Sequence, residues 1–224
     1  DTRAVAQRAI WACKIILKML KHEHRNYRGF APRRGCDVKQ ERKQNMSQAL
    51  HSKSLLLRGI NAQRAGNLVA AEQAYRAVLK YDPRHADAHN LIGAMALEMG
   101  KNALAQTHLK KAVKLAPRQP SFLLNLANAQ LLSDQPILAK ATIQKSIKLH
   151  AEDPKPWVVL GRVEVALGHD RRALNAFDSA MKRAPDNHVL AIERADVLVA
   201  MGRMEEAALV YRTAIAADVR KAVA

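Results

Sequence analysis

The chain has 224 residues, a formal net charge of +17, and 49% hydrophobic but only 4% aromatic residues. This composition favours packed helices over a β-sandwich. No apolar run approaches the roughly 18 residues that a membrane-spanning helix needs, and both cysteines, Cys13 and Cys36, lie in the first fifth of the chain. We therefore expect a soluble, cytoplasmic protein without a disulfide framework.

The first 45 residues are a basic arm, with twelve Lys and Arg against four Asp and Glu and no repeat pattern. Residues 7–21 have the pattern of a basic amphipathic helix, typical of binding to an anionic membrane surface or of a targeting peptide. Tyr27 and Phe30 stand among basic residues, a pattern typical of nucleic-acid binding. The alternative is that residues 1–45 are disordered or non-native, because the chain opens with Asp and Met46 stands just before the repeats.

Residues 46–219 repeat with a period of 34, which is the signature of stacked structural units. One column of the repeat holds alanine, a second holds small residues, and a third holds bulky apolar residues. The small pair lets two antiparallel helices approach closely, because larger side chains would push their backbones apart. The three columns are Ala71, Ala105, Ala139, Ala173 and Ala207; Gly59, Gly93, Ala127, Gly161 and Ala195; and Tyr75, Leu109, Ile143, Phe177 and Tyr211.

Turn signals divide each repeat into two helices, because one glycine column ends the first helix and prolines end the second. Asp134 interrupts the glycine column but tolerates the left-handed conformation better than most residues. Pro136 suits the first turn of the following helix. We predict helices at 52–65 and 69–81, repeated every 34 residues. The predicted units are 52–85, 86–119, 120–153, 154–187 and 188–219, followed by a truncated C-terminal end at 220–224.

The fullest repeat is WVVLGRVEVALG at 157–168, followed by Ala173, Phe177, Ala180 and Pro185. This pattern resembles the tetratricopeptide repeat (TPR) family over residues 52–219. The resemblance implies an all-α, right-handed α-solenoid of five helix-turn-helix repeats. It also implies a concave face, lined by the first helix of each pair, that binds a protein or extended peptide without cofactor or catalysis. By the family's geometry the inward-facing residues are Lys53, Leu56, Ile60, Gln63, Asn90, Ala94, Leu97, Leu124, Asn125, Asn128, Leu131, Lys155, Val158, Arg162, Ile192 and Asp196.

Subtypes of the family give narrower alternatives. Chaperone-binding members carry a carboxylate clamp, which needs Lys and Asn where this chain has Leu56 and Ile60. Sugar-transferase-associated members carry an asparagine ladder, and Asn125 and Asn128 in the segment NLAN match one rung. The repeats also resemble the N-terminal TPR region of bacterial sulfotransferases and glycosyltransferases, where such a module would present substrate to a C-terminal catalytic domain of the same chain.

One short segment has the composition of a metal site, since Asp82, His85, Asp87 and His89 all fall within residues 81–90. The repeat frame instead places this segment at the junction of the first two units. There Asp82 ends one helix, and Asp87 lies in the first turn of the next, where a carboxylate interacts favourably with the helix N-terminus. We therefore assign no metal and no cofactor. The chain also has no Gly-rich phosphate loop and no G-x-S-x-G motif, so no catalytic residue is assigned.

Overall fold

A computed structural model of the chain describes residues 35–185 and 187–223, with side chains described from residue 50 onward except at 188, 214 and 216–223. The predicted helix at 7–21 and most of the predicted basic arm therefore lie outside the described residues. The chain divides into two compact units between residues 50 and 51, and the second unit, His51–Ala224, holds the packed helix pairs. The predicted domain boundary at residues 45 and 46 stays a prediction.

The described residues form ten helices and no strand. Each helix pair is joined by a short turn, as the glycine and proline columns predict. The helices are α1 (Gly35–Arg64), α2 (Leu68–Tyr81), α3 (Ala86–Glu98), α4 (Asn102–Leu115), α5 (Pro120–Leu131), α6 (Pro136–Leu149), α7 (Pro154–Ala166), α8 (Asp170–Arg183), α9 (His188–Ala200) and α10 (Met204–Val223).

The turn within each pair requires a left-handed residue. The four glycines of the turn column have φ between 69° and 76°, and Asp134 takes the same place with φ 55°. An aspartate is one of the few residues with a Cβ that tolerates this region. Pro136 is the first residue of α6, so both predictions for the irregular third unit are confirmed.

The seam between the two helices of a pair is where the small column matters. In α7, a Cβ added to Gly161 would lie 2.6 Å from Cε1 of Phe177 on α8. In α3, a Cβ on Gly93 would lie 2.5 Å from Cγ of Leu109 on α4. Ala173, opposite Gly161, is fully buried. These distances leave no space for a larger residue, which is the physical reason for the repeating small pair.

Two helices are longer than the sequence predicts. Helix α1 begins at Gly35, well before the predicted residue 52, because residues 36–51 contain no Gly or Pro and many good helix formers. Helix α10 continues to Val223, past the predicted end of the fifth unit at Val219, where three of the other four units have proline. Within the described part of the chain, no helix is both long and apolar enough to cross a membrane.

Consecutive helices pack on one another, and first helices also contact the first helices of neighbouring pairs. Helix α5 contacts both α3 and α7. Hydrogen bonds join α1 to α3 and α7 to α9. The first helices α1, α3, α5, α7 and α9 therefore form one surface of an α-solenoid.

Candidate functional site

The predicted inward-facing residues all lie on these first helices, and we call them the first-helix face. None of them is fully buried. Leu56, Leu97, Leu124 and Val158 are half-buried and pack at the edges of core clusters, so their outer surfaces stay accessible. The exposed members are Lys53, Lys155, Arg162, Ile192 and Asp196, and the half-buried members are Leu56, Ile60, Gln63, Asn90, Ala94, Leu97, Leu124, Asn125, Asn128, Leu131 and Val158.

Polar side chains of the first-helix face connect neighbouring units. The amide of Gln63 donates to both carboxylate oxygens of Glu98 at 2.9 Å, and its oxygen accepts from the Tyr75 hydroxyl at 2.9 Å. The amide of Asn125 donates to Oδ1 of Asn90 at 2.9 Å. The structure therefore brings Asn90 and Asn125 together, as a shared face requires.

Further along the chain the connection is ionic. Nε of Arg162 on α7 donates to Oε2 of Glu193 on α9 at 2.8 Å, and a second guanidinium nitrogen bonds the other carboxylate oxygen. This hydrogen bonding raises the pKa of Arg162. The pair lies at the edge of a groove of about 250 Å³, which we call the α7–α9 groove. Its lining residues are Arg162, Val165, Asp170, Phe177, Glu193, Asp196, Val197 and Ala200.

A second carboxylate of the α7–α9 groove, that of Asp196, accepts a hydrogen bond from a residue of α10. The hydroxyl of Tyr211 on α10 donates to Oδ1 of Asp196 at 2.5 Å. That hydrogen bond raises the pKa of Tyr211, because the phenol proton is shared with a carboxylate. One oxygen of Asp196 is therefore fixed by Tyr211, which orients the whole carboxylate.

Sequence reasoning placed Arg162 and Asp196 on the concave face but did not assign Glu193, Asp170 or Phe177 to a site. The regular spacing of the repeat would not have found Glu193. Residues 35 apart meet across neighbouring first helices, as Asn90 and Asn125 show, whereas Arg162 and Glu193 are 31 apart. The difference is about one helical turn, so a long arginine side chain reaches that position.

The segment 81–90 is a helix junction, as predicted. Oδ1 of Asp82 accepts from the backbone N–H of Arg84 at 2.9 Å. Nδ1 of His85 accepts from the N–H of Ala88 at 3.4 Å and so caps α3, a role that sequence reasoning missed. Asp87 is exposed in the first turn of α3. Asp82 and His85 therefore each have a local structural role. In the described residues no group of three or more His, Cys, Asp or Glu could hold a metal ion.

His89 is the buried member of that segment, 5% exposed, and it pairs with a second histidine. Its Nε2 lies 3.1 Å from the Pro83 carbonyl, which only accepts, so the ring proton is on Nε2. Its Nδ1, 3.0 Å from Nδ1 of His108, then accepts from that ring. Burial, followed by the neighbouring His89, Lys111 and Arg76, lowers the pKa of His108 despite the opposing carboxylate of Glu72.

One buried carboxylate lies on the opposite side of α7 from Arg162. Glu164 is 5% exposed at its side chain and bonds Nζ of Lys140 at 2.7 Å and Nδ1 of His169 at 2.9 Å. Burial alone would raise the pKa of Glu164, but the hydrogen bonds from Lys140 and His169 outweigh it and lower the pKa. The carboxylate therefore stays charged, which suits an ion pair between α6 and α7 rather than a proton donor.

The comparisons with known proteins agree with this architecture. The tetratricopeptide repeat model matches residues 56–98, 96–141 and 158–219. The chain therefore belongs to the tetratricopeptide repeat family, and the predicted all-α solenoid is confirmed. No curated protein matches its sequence significantly.

Solved structures show the same fold. MamA is 23% identical, with a TM-score of 0.65 over 74% of this chain and 97% of that one. PilF of Pseudomonas aeruginosa is 20% identical, with a TM-score of 0.69 over 76% of this chain and 78% of that one. An O-GlcNAc transferase of Thermobaculum terrenum is 28% identical, with a TM-score of 0.56 over 61% of this chain and 26% of that one.

Proposed function

We propose that this chain is a scaffold module that binds an extended segment of a partner protein along the first-helix face, with no catalysis by these residues. The observation that carries the proposal is a set of side-chain contacts that joins three of the four neighbouring pairs of first helices. Gln63 to Glu98, Asn90 to Asn125, and Arg162 to Glu193 follow one another along the solenoid. We assign the binding to the predicted repeat region, residues 46–219.

The chemistry of the face fits an extended peptide. Its half-buried leucines, such as Leu97, Leu124 and Leu131, offer apolar contacts of the kind that side chains of a bound segment occupy. Its amides, such as Asn128, can both donate to and accept from a peptide backbone. Alternating apolar and amide groups therefore support binding through the backbone and a few side chains.

The experiment is selection of binding peptides from a random-sequence library on the full chain, followed by fluorescence anisotropy with the selected peptides. The double variant Asn125→Ala, Asn128→Ala is expected to bind them about thirtyfold more weakly, since two hydrogen bonds are lost at about 1 kcal/mol each. Asn175→Ala is the matched control, because Asn175 is exposed on the second helix α8, away from the first-helix face.

Thermal unfolding accompanies the measurement, because Asn125→Ala also removes the hydrogen bond to Asn90. A folded double variant with unchanged affinity would reject this binding face. Failure of the library to yield any specific peptide would reject peptide binding as a whole.

The likeness to part of a transferase supports a second candidate. The O-GlcNAc transferase of Thermobaculum terrenum matches this chain over only 26% of its own length. A substrate-presenting module of a larger bacterial glycosyltransferase or sulfotransferase would have such a partial match. Reading the coding sequence downstream of residue 224 tests it: a nucleotide-sugar or phosphate-binding domain there would favour this candidate, and a stop codon would reject it.

A further inference from the structure

We propose that the α7–α9 groove takes a basic side chain, lysine or arginine, of the bound segment. This inference rests on the proposed function and names the chemistry that one part of the first-helix face selects. Three observations support it: the base of the groove is apolar, two of its carboxylates have no cationic partner in the groove, and the groove is acidic although the whole chain is basic.

The base of the groove is apolar. Phe177 is buried, while Val165 and Ala200 are exposed at the groove and Val197 closes it from α9. A pocket of about 250 Å³ holds a single long side chain rather than a secondary-structure element. Lysine and arginine stems pack along such surfaces while their charged ends reach polar groups.

The charged groups of the groove are three carboxylates and one guanidinium. Arg162 is matched to Glu193 by two hydrogen bonds, so this pair is close to neutral. Asp170 and Asp196 remain, and the Tyr211 hydroxyl that bonds one oxygen of Asp196 carries no charge to offset it. The N-terminus of α8 offsets part of the charge of Asp170, but no cationic side chain of the groove is paired with Asp170 or Asp196. An incoming ammonium or guanidinium would therefore meet two carboxylates that can each accept a charge-assisted hydrogen bond.

Other occupants fit less well. An acidic side chain would face Asp170 and Asp196 and be repelled. A purely apolar side chain would take water from Asp196 without replacing its hydrogen bonds, which costs free energy. The groove is acidic, whereas the chain as a whole has a formal net charge of +17. The charge of the groove is therefore a local feature and does not follow from the overall composition.

The test uses library peptides selected on the full chain. We expect lysine or arginine to be enriched at one position. Replacing that residue by norleucine keeps the stem, removes the charge, and should weaken binding to the original chain about tenfold. With the double variant Asp170→Asn, Asp196→Asn, the same replacement should change affinity by less than about threefold, because the charge partners are gone.

The asparagine at position 196 keeps an acceptor for the Tyr211 hydroxyl, so the double variant is expected to fold. Asp134→Asn is the matched control, since it removes one carboxylate from an exposed turn outside the groove and asparagine tolerates the same backbone conformation. Selected peptides without an enriched basic position, or equal norleucine effects on both proteins, would overturn this inference and leave the proposed function standing. A library that yields no peptide would overturn both.

Discussion

Gly161 and Arg162 are adjacent in α7, yet they lie in two regions whose side chains are constrained differently. Gly161 lies in the seam, where a Cβ would be 2.6 Å from Phe177. The side chain of Arg162 is 48% exposed and reaches across the first-helix face to Glu193. In the 34-residue frame the seam column is Gly59, Gly93, Ala127, Gly161 and Ala195, whereas the face column beside it is Ile60, Ala94, Asn128, Arg162 and Asp196.

This difference teaches where the sequence is constrained. The seam accepts only the smallest residues in every unit, because the distance between two helices fixes the available volume. The face presents an aliphatic, a small, an amide, a basic and an acidic side chain at equivalent places. The repeating residues therefore fix the fold, and we expect the residues of the face column, which differ between units, to determine which partner the chain binds.

The largest expected effect comes from breaking the seam with Gly161→Ala. The new methyl group would overlap three ring carbons of the buried Phe177. Overpacking of this kind costs up to about 3 kcal/mol, offset by about 1 kcal/mol of better helix propensity. We expect the free energy of unfolding to fall by about 2 kcal/mol in urea titrations.

A second-site change separates this steric cause from others. Phe177→Leu shortens the opposing side chain, so Gly161→Ala should be much less destabilising in that background. Gly168→Ala is the companion control, because a Cβ there meets nothing within 4 Å and only its φ of 71° is strained. Its cost, about 1 kcal/mol, should be the same with Phe177 or Leu at position 177. Strict additivity for Gly161→Ala and Phe177→Leu would contradict the steric explanation.

A smaller effect is expected from the histidine pair between α3 and α4. The pKa of His108 is lowered in the folded chain, so the folded state binds this proton less well than the unfolded state does. Stability is therefore full above the unfolded pKa of about 6.5. It declines as the pH falls through that value toward the folded pKa, by at most about 1.4 kcal/mol per pH unit for one group.

Melting temperatures between pH 7.5 and 5 measure this decline. His108→Asn is expected to flatten it, because the asparagine amide can still donate to Nδ1 of His89 but does not titrate. His150→Asn, which replaces an exposed histidine outside the pair, is the matched control. A slope that survives in His108→Asn would assign the pH dependence to other groups.

Most of the fold could be predicted because its constraints repeat. The left-handed turn at Asp134 and the close approach at Gly161 each follow from a column with a single physical cause. The start of α1 at Gly35 was missed, because helix propensity continues upstream of the repeat and no breaker stops it.

The candidate site was only partly predictable, for a related reason. Arg162 and Asp196 were found from the helix that carries them, but Asp170 lies on α8 and Phe177 reaches the groove from the core. Contacts between units depend on the length of each side chain and on which carboxylate oxygen accepts the hydrogen bond from the neighbouring unit. The Arg162 to Glu193 pair, one turn away from the regular spacing, shows that such details do not follow from a period alone.

We expect the smallest effect on stability from Arg162→Gln, and this variant also gives the sharpest test of how the face binds a peptide. Exposed ion pairs contribute about 0.2–1 kcal/mol, so its unfolding free energy should change by less than about 1 kcal/mol, well below Gly161→Ala. The variant leaves the Glu193 carboxylate without its arginine, and the α7–α9 groove becomes more acidic. Peptides with a basic residue should therefore bind as tightly or severalfold more tightly, measured by anisotropy at low salt.

Glu193→Gln is the reciprocal control. It leaves the Arg162 charge in the groove without its carboxylate partner, so it should weaken binding of the same peptides. If Arg162→Gln weakened them instead, Arg162 would itself contact the peptide, and the groove would select an acceptor rather than a cation.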